Sequence, residues 1–341
     1  MSHYGIPPKF ISLIMNMYSG MTARVVHAGQ LSNSFNITTG VRQGCLLSPF
    51  LFLLAVDWIM KTTTADKNNG IQWTPWTQLD DLDFADDLAL LSHNKQQMQA
   101  KTTELDTISA QTGLHIHKDK TKIMKINTTS NDPIVLRGDN PLQEVDAFTY
   151  LGSVISREGG TDEDVQARIQ KARAAFVMLK KIWQSKEIKT QTKLRIFNSN
   201  VKSVLLYGSE TWRSSSAVKR KLQTFVNRCL RRILHLQWTD RVSNRDLWER
   251  TGQEAVETTI QRRKWRWLGH TLRKPATNIT RQSLTWNPQG RRKRGRPRNT
   301  WRRDLEADLK RSGITWNEAV RTAQDRERWR AVIDGLSSQG S

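Results

Sequence analysis

All of the excess positive charge of this 341-residue sequence lies in its second half, and any fold it adopts must accommodate that division. Residues 1–156 hold 12 Lys and Arg against 14 Asp and Glu, whereas residues 157–341 hold 42 against 18, a surplus of 24. Like charges at that density oppose compaction unless a polyanion neutralises them, so the second half predicts a nucleic-acid partner. Tryptophan divides in the same way, with Trp58, Trp73 and Trp76 before Ser156 and ten more after it. Rings interleaved with arginine serve either as core or as stacking surfaces for bases.

With 37% hydrophobic residues the chain can bury a core, and its length allows two or three domains. Cys45 and Cys229, far apart and the only cysteines, exclude a disulfide framework and a zinc knuckle, and they suit a reducing, intracellular setting, nucleus or cytoplasm. The longest apolar run, Phe50 to Val56, is far short of the roughly 20 residues a membrane helix needs, and the N-terminus has no basic start followed by an apolar run. No membrane partner is expected.

Pro7 and Pro8 followed by Phe10, Leu13, Ile14 and Met17, then Gly20, predict a helix over 8–19. Thr22–His27 and Asn33–Thr38 read as a hairpin leading into Gly40–Gly44, and Ser48 with Pro49 starts a buried helix reaching about Met60. Leu79–Phe84 and Leu88–Leu91 predict a tight hairpin with Asp86 and Asp87 at its bend. Lys95–Thr112 predicts a helix, and Leu114–Ile116, Lys122–Ile126 and Ala147–Ile155 read as strands. Beyond Gly159-Gly160 the period changes: Val165, Ile169, Ala172, Phe176 and Leu179, then Leu194, Phe197, Val201 and Leu205, fall at helical spacing. Residues 287–300 have no apolar side chain and six Lys or Arg, a linker before a last helical pair at Trp301–Arg311 and Trp316–Ile333.

Paired aspartates on a hairpin bend offer hard oxygen ligands on a rigid turn, the donor type that two-metal phosphoryl transfer uses. They do not stand alone. Gly40-Val41-Arg42-Gln43-Gly44-Cys45-Leu46-Leu47-Ser48-Pro49 precedes Phe84-Ala85-Asp86-Asp87; Gly113-Leu114-His115-Ile116 with Lys118, Asp119, Lys120 and Thr121 follows, then Phe148-Thr149-Tyr150-Leu151-Gly152. This ordered set resembles motifs B, C, D and E of the reverse transcriptases of non-LTR retrotransposons. A group II intron maturase is a less similar alternative.

The resemblance implies an α+β fold, a partial reverse-transcriptase palm followed by a mainly helical, basic thumb and C-terminal region. The expected domains are the palm over 1–156, a thumb-like region over 157–286 with its helices at 162–207, the linker over 287–300 and a helical segment over 301–341. It implies that Asp86 and Asp87 bind Mg2+, that Lys120 serves the triphosphate, and that Arg42, Gln43 and Gly44 approach nucleotide and template. Tyr150, Leu151 and Gly152 match the primer grip, and the partners implied are an RNA template and a DNA primer or target. Gln261 to His270 resembles a further stretch recurrent in these elements.

His117 departs from the asparagine usual in motif D. Only seven residues precede the first helix, so the fingers and the motif A strand with its metal-binding aspartate are expected to lie outside this sequence. Asp80, Asp81 and Asp83 stand on the strand leading to Asp86, not on a neighbouring one, and are not expected to replace the motif A aspartate. Arg291, Arg292, Lys293, Arg294, Arg296 and Arg298 form the densest cationic run. Its Arg294-Gly295-Arg296-Pro297 matches an AT-hook core, leaving minor-groove binding, phosphate contact, a nuclear import signal and a plain linker open. The expected function is a retrotransposon reverse transcriptase fragment, inactive alone; the alternative is a non-catalytic nucleic-acid-binding protein derived from such an element.

Overall fold

The computed structural model describes residues 1–65, 68–128, 130, 132–136, 140–213, 215–287 and 301–338. It is a mixed α+β structure, mostly helical with small sheets, and it divides into two compact units, Met1–Asp146 and Ala147–Ser341. The division falls ahead of the hairpin at Ala147–Ser156, which motif order had grouped with the first unit and which packs instead on the helices of the second.

The first unit is built on three helices, α1 (Pro8–Tyr18), α2 (Ser48–Thr64) and α3 (Lys95–Gln111). Proline preorganises the start of α1, and Asn94 caps α3 by accepting from Gln97 N at 2.9 Å. Val56, Ile59 and Met60 of α2 meet Leu105 and Ile108 of α3, and Leu88 and Leu90 of the aspartate hairpin pack onto that seam. Among the described residues every sheet has two strands. Nested hairpins join Thr22–Ala23 to Phe35–Asn36 and Val26–His27 to Gln30–Leu31, and Lys122–Ile123 runs parallel to Gln143–Glu144.

Three expectations for this unit are corrected. Ser48 is inside α2, and its hydroxyl donates back to Arg42 O at 2.5 Å, so it ties the preceding loop to the helix rather than capping it. The helix is not buried all round: Phe50 and Leu53 are half exposed and Leu46 is almost fully so, because α3 and the hairpin cover one side only. Leu114–Ile116 forms no strand; Leu114 and Ile116 reach the core from an irregular segment.

The second unit contains α4 (Asp162–Met178), α5 (Lys180–Gln184), α6 (Thr190–Phe197), α7 (Ser203–Leu205), α8 (Ser216–Ile233) and α9 (Asn244–Thr251). It continues with α10 (Val256–Leu272), α11 (Ile279–Ser283), α12 (Trp301–Arg311), α13 (Trp316–Thr322) and α14 (Arg326–Ser338). A π-helical turn, Asn198–Lys202, links α6 to α7. The residues spaced for helices between 165 and 205 all enter one core, which extends through Leu222, Val226 and Leu230 of α8 to Leu247 and Ile260. A second core gathers Trp265 and Leu268 of α10 with Leu305, Ala319 and Trp329. The final helical pair is three helices, since Asp325 restarts the chain by accepting from Glu327 N at 2.9 Å and Arg328 N at 3.2 Å. Past Asn287 the basic linker lies outside the described residues.

Gly269 marks the tightest approach in that second core. A Cβ there would lie 2.0 Å from Nε1 of Trp329, a buried side chain that donates to Trp265 O at 2.9 Å. Glycine to alanine in an open helix gains about 1 kcal/mol, but Gly269→Ala should destabilise the second unit by about 2 kcal/mol through overpacking. Urea unfolding followed by tryptophan fluorescence reads the sign, and a stabilised variant would refute the contact.

Candidate active site

Strands Asp81–Phe84 and Asp87–Leu90 pair antiparallel, with Phe84 opposite Asp87 and Asp83 opposite Leu88. Only Ala85 and Asp86 remain for the bend, and Ala85 takes a φ of 56°, a left-handed conformation that alanine adopts only when its surroundings impose it. The register also sorts the acids. Asp81 and Asp83 share a face with Leu90 and Leu88, which pack on α2 and α3, whereas Asp87 shares the other face with Leu82 and the exposed Phe84. Asp83 therefore stands on the side of the hairpin opposite Asp87.

Lys101 of α3 holds the base of the hairpin, a role the sequence reading missed. Its side chain is 1% exposed, and Nζ donates to Asp80 Oδ1 at 2.8 Å, to Asp80 O at 2.9 Å and to Leu91 O at 2.8 Å. All three ammonium protons are used, and both ends of the hairpin are gripped at once. The available signal was a lysine on the stripe of Leu105 and Ile108, where its register alone predicts burial.

On the inward face the carboxyls are crowded. Asp83 is pushed up to about 7, by desolvation first and then by Asp81 and Asp57. Asp81 is raised too, again mainly by desolvation. Asp57 is held low by Lys61 at 2.8 Å and by the Tyr4 hydroxyl, which donates to it at 2.5 Å, so its charge persists beside Asp83.

The Arg42-Gln43-Gly44 loop runs into the N-terminus of α2, the helix that carries Asp57. Arg42 N donates to the Tyr18 hydroxyl at 3.4 Å and Cys45 N to Arg42 O at 3.3 Å, and Gly44 has a φ of 81°. A Cβ on Gly44 would meet nothing within 4 Å, so backbone angle rather than crowding calls for glycine within this chain. Gly40 and Val41 line a cleft of about 550 Å3 with Tyr4, Tyr18, Leu54 and Trp58. Lys120 is exposed, in a turn where its N–H donates to His117 O at 3.1 Å.

Tyr150, Leu151 and Gly152 belong to the second unit, where Ala147–Tyr150 pairs with Ser153–Ser156. The bend residues have φ of 49° and 83°, as a two-residue hairpin turn requires. Four side chains of the helical unit fix it. Tyr207 donates to Leu151 O at 3.1 Å, Arg168 donates to Gly152 O and lies 4.2 Å from the Tyr207 ring centre, and Asp164 accepts from Val154 N at 2.9 Å and Trp212 Nε1 at 2.8 Å. None of these four was singled out from the sequence. Arg291, Arg292, Lys293, Arg294, Arg296 and Arg298 lie outside the described residues.

Asp86 and Asp87 are donors of the right chemistry for a divalent cation, but among the described residues no three His, Cys, Asp or Glu side chains are placed to hold a metal together. Nor is any described helix long and apolar enough to cross a membrane. Residues 1–155 match the family reverse transcriptase (RNA-dependent DNA polymerase), and this stretch is a reverse transcriptase family domain. Residues 175–207 match a domain of unknown function.

A transposon-derived protein of Caenorhabditis elegans is 27% identical over 274 residues, 75% of this chain and 95% of that protein. The Pol polyprotein of the type-1 retrotransposable element R2 of Popillia japonica is 24% identical over 245 residues, 69% of this chain but 39% of the polyprotein. That of the type-2 element R2DM of Drosophila melanogaster is 31% identical over 122 residues, 34% of this chain and 11% of the polyprotein. The chain is thus distantly similar to non-LTR R2 polyproteins and spans well under half of their length.

Two substitutions test this geometry. Lys101→Ala leaves Asp80 and two carbonyls without their cation and should destabilise the first unit by about 3 kcal/mol, read by urea unfolding; a loss within error of zero would sink the clamp. Asp83 binds its proton more tightly folded than unfolded. Its contribution is thus complete below the ordinary carboxylate pKa and lost as pH rises through about 7. Asp83→Asn should raise the melting temperature near pH 8 and leave it unchanged near pH 4; equal shifts at both would refute the raised carboxyl.

Proposed function

We propose that this chain is part of an RNA-directed DNA polymerase of the non-LTR retrotransposon kind, acting on an RNA template and a DNA primer. The observation that carries the reading is the strained Ala85-Asp86 bend with Asp87 at the start of the next strand, on a hairpin clamped by Lys101 within a matched reverse transcriptase domain. In this reading Asp86 and Asp87 are ligands of Mg2+, and a complete site takes a further carboxylate from a separate strand. Arg42, Gln43 and Gly44 meet nucleotide and template, Lys120 the triphosphate, and Tyr150, Leu151 and Gly152 the primer end. The second unit is the thumb, and the run from Arg291 to Arg298 adds phosphate contacts.

The 341 residues alone should not extend a primer, because adjacent aspartates cannot span two ions about 3.5–4 Å apart. Fusing to them an upstream reverse-transcriptase fingers and first-aspartate segment should give magnesium-dependent synthesis that Asp86→Ala abolishes. Synthesis that survives Asp86→Ala would end the assignment.

A second reading, a non-catalytic nucleic-acid-binding protein derived from such an element, is supported by the surplus of 24 cations after Ser156. Under either reading the chain should bind RNA and DNA with an affinity that falls steeply with salt. Deleting residues 290–298 should flatten the slope of log affinity against log salt, measured by fluorescence anisotropy. An unchanged slope would remove that run from the interface.

A further inference from the structure

The ten tryptophans of residues 157–341 fall into two unequal groups. Trp183, Trp212, Trp265 and Trp329 are buried, and Trp248, Trp267, Trp286, Trp301 and Trp316 are partly so. Trp238 is 90% exposed. A ring that large ordinarily gains a few kcal/mol by burial, so a loop that holds it out in water needs a reason.

That loop is built to hold it. Leu236 and Val242, on either side, pack into the main core of the unit. Gln237 and Asp240 form a reciprocal capping box around the single turn Trp238–Asp240, with Gln237 N donating to Asp240 Oδ2 at 2.6 Å. Arg231 reaches from α8 to Val242 O at 3.2 Å and Asn244 Oδ1 at 2.9 Å. The chain enters and leaves the turn through His235 and Arg241, both left-handed, with φ of 57° and 50°. Two non-glycine residues in that region are a conformational cost borne for position.

The setting is cationic. Between positions 228 and 245 there are five arginines and one acid, and the acid, Asp240, is engaged within its own turn. Arg228, Arg232 and Arg241 are exposed, and among the described residues no carboxylate pairs with any of them. Trp76 of the first unit is equally exposed, at 92%, but its turn, Trp73 to Thr77, contains no cation. A preorganised ring on a segment with exposed guanidinium groups matches an unpaired nucleobase and its flanking phosphates: the ring stacks on any base, and the cations follow the backbone.

We propose that Trp238 is a stacking platform for an unpaired base of single-stranded nucleic acid, with Arg232 and Arg241 contacting adjacent phosphates. The proposal rests on the nucleic-acid reading of the second unit and adds a site outside every reverse-transcriptase motif. A duplex, whose bases are already stacked, has no face to offer the ring.

The test is anisotropy of the full chain with an unstructured single-stranded RNA and with a duplex of equal length, each over a range of salt. Trp238→Ala should weaken single-strand binding by about fivefold to a hundredfold, the range for one stacked base. It should leave the salt slope and the duplex affinity unchanged, and Trp238→Phe should retain most of the affinity. Arg241→Gln should lower the salt slope by about one. Because the ring touches no core, circular dichroism of these variants should match the wild type. Single-strand affinity unchanged in Trp238→Ala, or an equal loss on duplex, would overturn the platform. Failure of the wild-type chain to bind either probe would overturn the nucleic-acid reading beneath it.

Discussion

A lysine that cannot reach water must find its acceptors in the protein, and Lys101 finds three at the base of the aspartate hairpin, so α3 decides where that hairpin stands. Arg168 does the same for the tyrosine hairpin, a buried cation donating to a bend carbonyl. In both cases the bend includes a left-handed residue other than glycine, Ala85 in one and Leu151 in the other. Such a backbone persists only where its neighbours over-determine it. A buried cation suits that task because its desolvation is offset only when its acceptors sit at the right places, so any drift of the bend is penalised twice. The pattern extends to Lys264, whose ammonium lies 3.3 Å from Asp308 and binds α12 to α10. Burial holds that lysine below the usual ammonium range despite its partner.

Much of the helical half was legible because a single periodicity runs through it. Val165, Ile169, Ala172 and Phe176 are buried together for the same reason they are spaced as they are. Motif order likewise located both hairpin bends within a residue, since a two-residue turn admits few sequences. What escaped the reading were long polar side chains that act across elements. Asp164, Arg168 and Tyr207 look like ordinary helix-surface residues until the tyrosine hairpin is laid on them. Lys101 could have been found by taking its helical register at face value. The break between α13 and α14 was hidden for a different reason: Asp325 starts a new helix without interrupting the apolar period that ends in Trp329 and Ile333.

Helix α2 shows where pattern and burial part company. Its apolar run predicts a helix enclosed on all sides, yet Phe50 and Leu53 are open while Val56, Ile59 and Met60 are covered. Phe10, Leu13 and Met17 of α1, and Leu82 and Phe84 on the outward face of the aspartate hairpin, are open as well. So many large apolar groups exposed within one unit exceed what an isolated soluble domain ordinarily tolerates.

The placement of the acids bears on the chemistry more directly than their number. Five aspartates stand between positions 80 and 87, and a count alone suggests a site rich enough to hold ions unaided. Strand alternation divides them: Asp80 is consumed by Lys101, Asp81 and Asp83 turn toward α2, and Asp87 turns the other way. The inward pair lie close to one another and to Asp57, which is why Asp83 holds its proton to about 7. Asp83, on the far side of the hairpin from Asp87, is a poor third ligand on geometric grounds. In the proposed reading, chemistry at this bend takes a further carboxylate from another strand.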